Sequence, residues 1–472
     1  MQQVEVAPLP PERYEAILAP AMAEQFRAVR EAAAEVFRDR VVWNVNSTAA
    51  GGGVAEMLRS LLAYARGGGV DTRWMVMSGN PDFFTITKRI HNHLHEYEGD
   101  GGALGEAEQQ QYEDAVRDNC DELCGMVGAR DVVILHDPQT AGLVPRLKEK
   151  GVPVVWRCHV GIDQPGPLAR EAWNFLRGYV KQADACVFSR QSFVWEGLEG
   201  SRVELIAPSI DAFSPKNREM DETSVQAILV ASGLVGGGAA PHDPVFYRQD
   251  GSAATIQNRA QVFETAPAHV TDRVVLQVSR WDRLKDPLGV IRGFAEFVAP
   301  HSDAHLIYAG PAVEAVSDDP EGKQVLDEAI ASWKALPGPR QERVHLATLP
   351  MKDGEENAAM VNALQRHAHT VVQKSIAEGF GLTVAEAMWK ARPVVASGIG
   401  GIQDQIEDGR TGLLLKDPED LQRYGAAVLS LLEDDGRAAE IGKAAQERVR
   451  DEFLGARSLI QYMALLQDLV TG

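Results

Sequence analysis

An α/β architecture of two doubly wound domains is what this sequence predicts, from three observations. Short runs rich in β-branched residues alternate with amphipathic stretches, the signature of βαβ units on a parallel sheet. The alternation lapses near 207–222, in APSIDAFSPKNREMD, where two prolines and mixed charge read as an inter-domain linker, and then resumes. The chain has 472 residues, 45% hydrophobic and 24% charged, which suffices for more than one large core and excludes a disordered or fibrous protein.

Taken in order, a helical segment opens the chain at about 12–38. Strands follow at 41–46 (VVWNVN), 72–77 (TRWMVM), 131–136 (DVVILH), 152–157 (VPVVWR) and 185–189 (ACVFS), with helical patterns between them. Beyond the linker, strands are expected at 273–279, 304–310, 343–348, 370–373, 393–397 and 412–415, and 418–471 is helical. Residues 232–260 break the rhythm, being glycine-rich at the start and short of apolar periodicity, and predict an insertion or mobile loop; a lid over a ligand cleft is the functional alternative. The expected domains are 1–215, 216–450 with that insertion, and a C-terminal helix at 451–472.

Charge and cysteine content narrow the function classes. Lys plus Arg number 47 and Asp plus Glu 67, a net −20 that gains nothing from the counterion release driving nucleic-acid binding. A small phosphorylated ligand stays open, because it needs only two or three local cations or a helix N-terminus. Four cysteines are too few for a disulfide framework, and Cys120 and Cys124, one helical turn apart, have no second Cys/His pair at zinc spacing. The N-terminus lacks a basic region followed by an apolar run, and there is no stretch of about 18 consecutive apolar residues, so a cytoplasmic protein with reduced thiols is expected.

Three stretches carry chemistry. In STAAGGGVAEMLRSLLAYA (47–65), Gly51, Gly52 and Gly53 lead from a strand into an apolar-periodic helix, so the backbone can approach an anion at the helix N-terminus; a plain strand-to-helix turn would look the same. LQVSRWDRLKDP (276–287) places Ser279 and Arg280 at a strand end and Lys285 where a helix should start, suited to a diphosphate in the crevice at the C-terminal strand ends, or else to surface salt bridges. In QKSIAEGFGLTVAEAM (373–388), Glu378 follows a strand directly, GFG supplies a tight turn, and Thr383 is a candidate cap for a helix with Glu386 in its first turn. Glu386 there also suits the helix dipole alone.

The last two stretches, with PVVAS (393–397), GGIQDQI (400–406) and DGRTGLLL (408–415), resemble the donor half of the family 4 retaining glycosyltransferases, and Glu378 and Glu386 match that superfamily's E-x7-E motif. In the first half the GGGV loop, FFTITKRIHNHLH (83–95), LHDPQTAGL (135–143), VVWRCHVGID (154–163), REAWNFLRGYV (170–180) and APSIDAFSPKN (207–217) resemble the trehalose glycosyltransferring synthases. The resemblance covers about 40–215 and 270–450; the 232–260 insertion departs from it. It implies the GT-B fold, two Rossmann-like domains facing a central cleft, with the final helix returning to the N-terminal domain.

By that resemblance Arg280 and Lys285 neutralise a diphosphate leaving group, helped by backbone N–H groups of Gly52, Gly53, Leu382 and Thr383, with Ser279 beside them. Glu386 would hold the ribose hydroxyls, Glu378 the transferred glucose, and His159 would contact the donor sugar, a structural histidine being the alternative. His136, Asp137, Gln139, His91 and Asp163 are candidates for the acceptor side, although a polar helix face would explain His91 equally well. The sequence holds no Asp-x-Asp triplet, so metal-independent transfer with no cofactor is expected. The implied reaction joins ADP- or UDP-glucose to glucose, reversibly and with retention. Trehalose phosphorolysis, another acceptor, or non-catalytic sugar-nucleotide binding are the competing readings. Sugars and sugar nucleotides are the expected partners, with neither nucleic acid nor membrane, and a homodimer is open.

Overall fold

The computed structural model describes residues 1–49, 53–237, 242–313 and 320–471. The chain divides into two units, Met1–Ser209 with Phe453–Gly472, and Ile210–Glu452. The second unit is thus inserted in sequence within the first.

The first unit is built on β1 (Gln2–Val4), β2 (Val41–Asn46), β3 (Asp71–Val76), β4 (Val132–His136), β5 (Val154–Cys158), β6 (Ala185–Phe188) and β7 (Val203–Leu205). Their order is β1-β3-β2-β4-β5-β6-β7, parallel except for the edge strand β1. β4, β5 and β6 are buried along their whole length, which explains why they read as continuous apolar runs instead of alternating ones. Helices between the strands begin where the local chemistry directs: Pro81 and Pro167 stand at first helical positions, and Asn80 accepts a hydrogen bond from the Phe83 N–H. The N-terminus of the Pro167–Val180 helix is capped from far away in sequence, the Glu96 carboxylate accepting from the N–H groups of Gly166, Leu168 and Ala169. The final helix, Gly455–Thr471, packs on helices Pro20–Val36 and Gly53–Gly67 and buries Leu459, Leu465 and Leu466 there.

The second unit contains a hairpin, β8 (Val245–Tyr247) with β9 (Ala253–Thr255), then β10 (Gln261–Phe263), β11 (Val274–Val278), β12 (His305–Pro311), β13 (Val344–Leu349), β14 (Thr370–Gln373), β15 (Val394–Ser397) and β16 (Leu413–Leu415). The main sheet runs β10-β13-β12-β11-β14-β15-β16, parallel but for the edge strand β10. Trp281 stacks on Tyr308 over this sheet, both fully buried.

Every strand foreseen is present, within a residue or two of its predicted ends. β1, β7, β8, β9 and β10, each of three residues, were not foreseen, being too short for periodicity to register. Within the 232–260 segment residues 238–241 lie outside the described ones, and 245–255, expected as part of a mobile loop, form a pinned hairpin. Arg248 pairs with Asp353 at 2.5 Å and Glu355 at 3.0 Å, and Glu356 accepts from the N–H groups of Gln257 and Asn258. These partners lie a hundred residues away, beyond the reach of local pattern.

Strand order reverses between β2 and β4 in one sheet and between β11 and β14 in the other. In open α/β sheets the crevice at such a switch point, outside the carboxyl ends of the strands, is where ligands bind.

Candidate functional site

In the second unit, the β11/β14 switch point gathers most of the predicted donor residues. β11 ends at Val278, and the next residues turn through Ser279 and Arg280 into the short helical turn Arg283–Lys285. Asp286, in the left-handed conformation at φ 50°, caps the helix Pro287–Gly293 by accepting from the Gly289 N–H. Lys285 therefore lies two residues before that helix rather than at its start. Its Nζ sits 2.7 Å from Glu378 Oε2, and both side chains are mostly buried. Ser375 Oγ donates to the same carboxylate oxygen at 3.3 Å. Ser279 Oγ bonds the Tyr308 hydroxyl at 2.8 Å and Arg280, largely exposed, pairs with Asp282 at 3.3 Å.

The loop after β14 leads into the helix Leu382–Trp389, and Gly381, at φ 80°, takes the cap position that was expected of Thr383. The difference has a cause: the glycine tolerates the left-handed turn, so the helix starts two residues earlier, and Thr383 Oγ1 donates instead to Gln373 Oε1 at 3.0 Å. The first N–H groups of this helix, those of Leu382 and Thr383, have no intrahelical acceptor. Glu386 lies in the second turn, 2% exposed, with Lys216 Nζ 3.6 Å from its Oε1.

In the first unit, His136 closes β4, Asp137 follows at φ 67°, and His159 comes directly after β5. His136 Nδ1 is 3.1 Å from His159 Nε2, and His136 Nε2 is 3.1 Å from Asn44 Oδ1. The His159 N–H donates to Asp137 Oδ1 at 2.8 Å. A left-handed aspartate costs about 1–3 kcal/mol, and such strain concentrates at functional sites. Burial, then the nearby Arg157 charge, pushes the His136 imidazole down to about 3 and holds His159 well below its ordinary value. Burial raises the Asp137 carboxyl to about 6, against the opposing pull of the His159 N–H and Arg157.

The remaining candidates are dispersed. Gln139 lies in the short helix Asp137–Thr140, Asp163 is held by Arg190 at 2.6 Å and by Ser192 at 3.0 Å, and His91 is on the helix Pro81–Leu94 beside His95. Gly53 is the exposed first residue of its helix, whereas Gly51 and Gly52 lie outside the described residues. Sequence reasoning missed Lys374, fully buried and ion-paired with Asp286, Lys216 beside Glu386, and Arg157, 1% exposed within β5. A signal existed for Arg157 and Lys374: each is a charge set in or directly after an otherwise apolar strand.

Comparison with known proteins gives these observations a setting. Residues 44–195 match the family described as "Trehalose synthase, N-terminal domain", and residues 258–448 match "Glycosyl transferases group 1". A trehalose synthase of Thermococcus litoralis is 33% identical over 94% of this chain and 94% of its own. A trehalose phosphorylase of Pleurotus pulmonarius is 25% identical over 89% of this chain and 56% of its own. Among solved structures, the trehalose-6-phosphate synthase OtsA superposes with a TM-score of 0.66 at 12% identity, covering 92% of this chain and 99% of that one, a likeness of fold.

Proposed function

This chain belongs to the trehalose synthase family of glycosyltransferases, with a GT-B fold, and from that premise we propose that it joins a nucleoside-diphosphate glucose to free glucose, giving trehalose and the nucleoside diphosphate. The reaction is reversible, retains the α configuration of the donor and needs no metal ion. The observation that carries this reading within the site is the 2.7 Å contact of Lys285 with Glu378 at the β11/β14 switch point, which sets a cation for the leaving group beside a carboxylate for sugar hydroxyls.

In the proposed step, Arg280, Lys285 and the backbone N–H groups of Leu382 and Thr383 hold the diphosphate, and Glu386 holds the ribose. The bond from anomeric carbon to phosphate oxygen breaks, and the acceptor's anomeric hydroxyl bonds to that carbon on the same face. The hydroxyl proton passes to the departing diphosphate. Glu378 and His159 orient the transferred glucose, and His136, Asp137, Gln139, His91 and Asp163 serve the acceptor, with Gly53 near the donor. Cationic side chains and helix N-termini do here what a divalent ion does in metal-dependent transferases. Sugars and sugar nucleotides are the substrates and the cytoplasm the location; no helix among the described residues is long and apolar enough to cross a membrane.

The test incubates the protein with ADP-, UDP- or GDP-glucose, free glucose and a chelator, and identifies the disaccharide by NMR. An α,α-1,1 product with chelator present is expected. Nucleotide release without disaccharide would reject glucose as acceptor. The likeness to trehalose phosphorylase keeps a second reading, refuted if trehalose with inorganic phosphate yields no glucose 1-phosphate.

A further inference from the structure

Asn44 and Arg157, to which the proposed reaction gives no part, stand at the two ends of a buried chain of hydrogen bonds running through His136 and His159. A guanidinium has donors only, so where Arg157 Nε meets His159 Nδ1 at 3.5 Å the imidazole nitrogen accepts. A neutral His159 then carries its proton on Nε2 and donates to His136 Nδ1 at 3.1 Å. His136 in turn carries its proton on Nε2 and donates to Asn44 Oδ1 at 3.1 Å.

Among the described residues no other partner of the two rings fixes this direction. If both imidazoles shifted their protons to Nδ1 and the Asn44 amide turned over, the contacts among the two histidines and Asn44 would be satisfied equally well. Asn44 Nδ2 is itself buried with no protein partner, so the turn would sacrifice no bond. Arg157 removes that degeneracy. Its stability value alone is poor: it is 1% exposed and, among the described residues, bonds Ser189 Oγ at 3.1 Å and His159, leaves Nη1 without a partner and makes no ion pair, although its charge is felt by the Asp137 carboxyl. A buried guanidinium so paired is costly.

We propose that Arg157 is a positioning residue that sets the direction of this chain, fixing His159 and His136 as Nε2–H tautomers with both ring nitrogens of His159 committed to the fold. This rests on the function proposed above in one respect: His159 then meets the sugar as a rigid neutral ring and not as a proton-transfer group. The tautomer assignment itself needs no substrate.

The test uses the full chain labelled with [15N]histidine, its 12 histidines assigned by single substitutions, and reads imidazole protonation from long-range 1H–15N correlations near neutral pH. In the parent, His159 and His136 are expected as neutral Nε2–H rings. In Arg157→Met the His159 Nε2–H population is expected to fall, with Nδ1–H taking its place, and kcat to drop about 100-fold with KM little changed. Arg157→Lys, which keeps a donor-only cation, should retain the parental tautomers. Adding Asn44→Asp to Arg157→Met installs an acceptor-only group at the other end and should restore them, an effect a merely structural role would not produce. A parental His159 protonated on Nδ1, unchanged tautomers in Arg157→Met, or no recovery on adding Asn44→Asp would each overturn the proposal. Should Arg157→Met fail to fold, the parent and Arg157→Lys spectra still decide it. Absence of glycosyl transfer with the expected tautomers would refute the function and leave the assignment standing.

Discussion

Replacing Gly400 by alanine tests whether the placement of Glu378 governs turnover. Gly400 lies at φ 48° in the turn after β15, and a Cβ added there would stand 1.9 Å from the Glu378 carbonyl oxygen. Side-chain carbons do not approach such atoms closer than 3.0 Å, so going from 1.9 Å to 3.0 Å the carbonyl must retreat by about 1.1 Å. The loop has little slack, because the Gly401 N–H donates to Gly379 O at 2.8 Å and Phe380 fills the space where a Gly401 side chain would be. The shift is therefore carried to the Glu378 carboxylate and its 2.7 Å contact with Lys285. A misplacement of about 1 Å in a positioning group costs about 100-fold in rate. Left-handed strain adds about 1–2 kcal/mol of destabilisation. Gly409→Ala is the control: at φ 78° it suffers the same strain, with no heavy atom within 4 Å of the added carbon. Disaccharide formation from sugar nucleotide and glucose, with denaturant unfolding of each variant, separates the two effects. Gly400→Ala should lose activity about 100-fold and Gly409→Ala only stability. Parental activity in a folded Gly400→Ala protein would refute the reasoning.

Other substitutions probe the remaining parts. Lys285→Met should lower kcat by about 100- to 1,000-fold in nucleotide-release assays, with Lys285→Arg recovering part of it, if this cation stabilises the leaving group. Because the folded His136 titrates at about 3, far below its ordinary 6.5, protons favour the unfolded chain: its contribution to stability is complete above about pH 6.5 and erodes as pH falls towards 3. Melting temperature should thus drop on acidification and drop less steeply in His136→Gln; parallel curves would refute the assignment. Asp137, raised to about 6, acts with the opposite sign between about pH 4 and 6, so Asp137→Asn should steepen the acid loss. Arg248→Met should lower stability only slightly in urea unfolding, and less at high salt, because its ion pairs with Asp353 and Glu355 are about one-third exposed.

What the sequence made legible follows from how far each signal reaches along the chain. The buried parallel strands announced themselves as runs such as VVILH and TVVQ, since burial on both faces favours apolar residues along most of each strand. Arg280, Lys285 and Glu378 were singled out because each lies in the loop that follows such a strand, and chain proximity to a strand end is itself a spatial coordinate. The contact between Lys285 and Glu378 spans 93 residues and was not foreseen, because no local pattern reaches that far. Thr383 misled because it is a good cap in isolation, while the left-handed Gly381 two residues before it decided where the helix began. Arg157 and Asn44 passed unnoticed because a charge or amide inside a strand reads as an exception to apolar patterning, and only the partners across β2, β4 and β5 give it meaning.

The return of the Gly455–Thr471 helix to the first unit has a consequence for biosynthesis. Residues 1–209 leave the ribosome first, yet Leu459 and Tyr462, which line one small cavity together with Asn44 and His136, are made only after all of the second unit. The second unit, continuous in sequence, can close its core while the nascent first unit still exposes the apolar face that helix will cover. A ribosome pausing late in the message would hold a chain whose second unit is finished and whose histidine pair still lacks its cover, a window in which chaperone capture or protease attack would fall on the first unit.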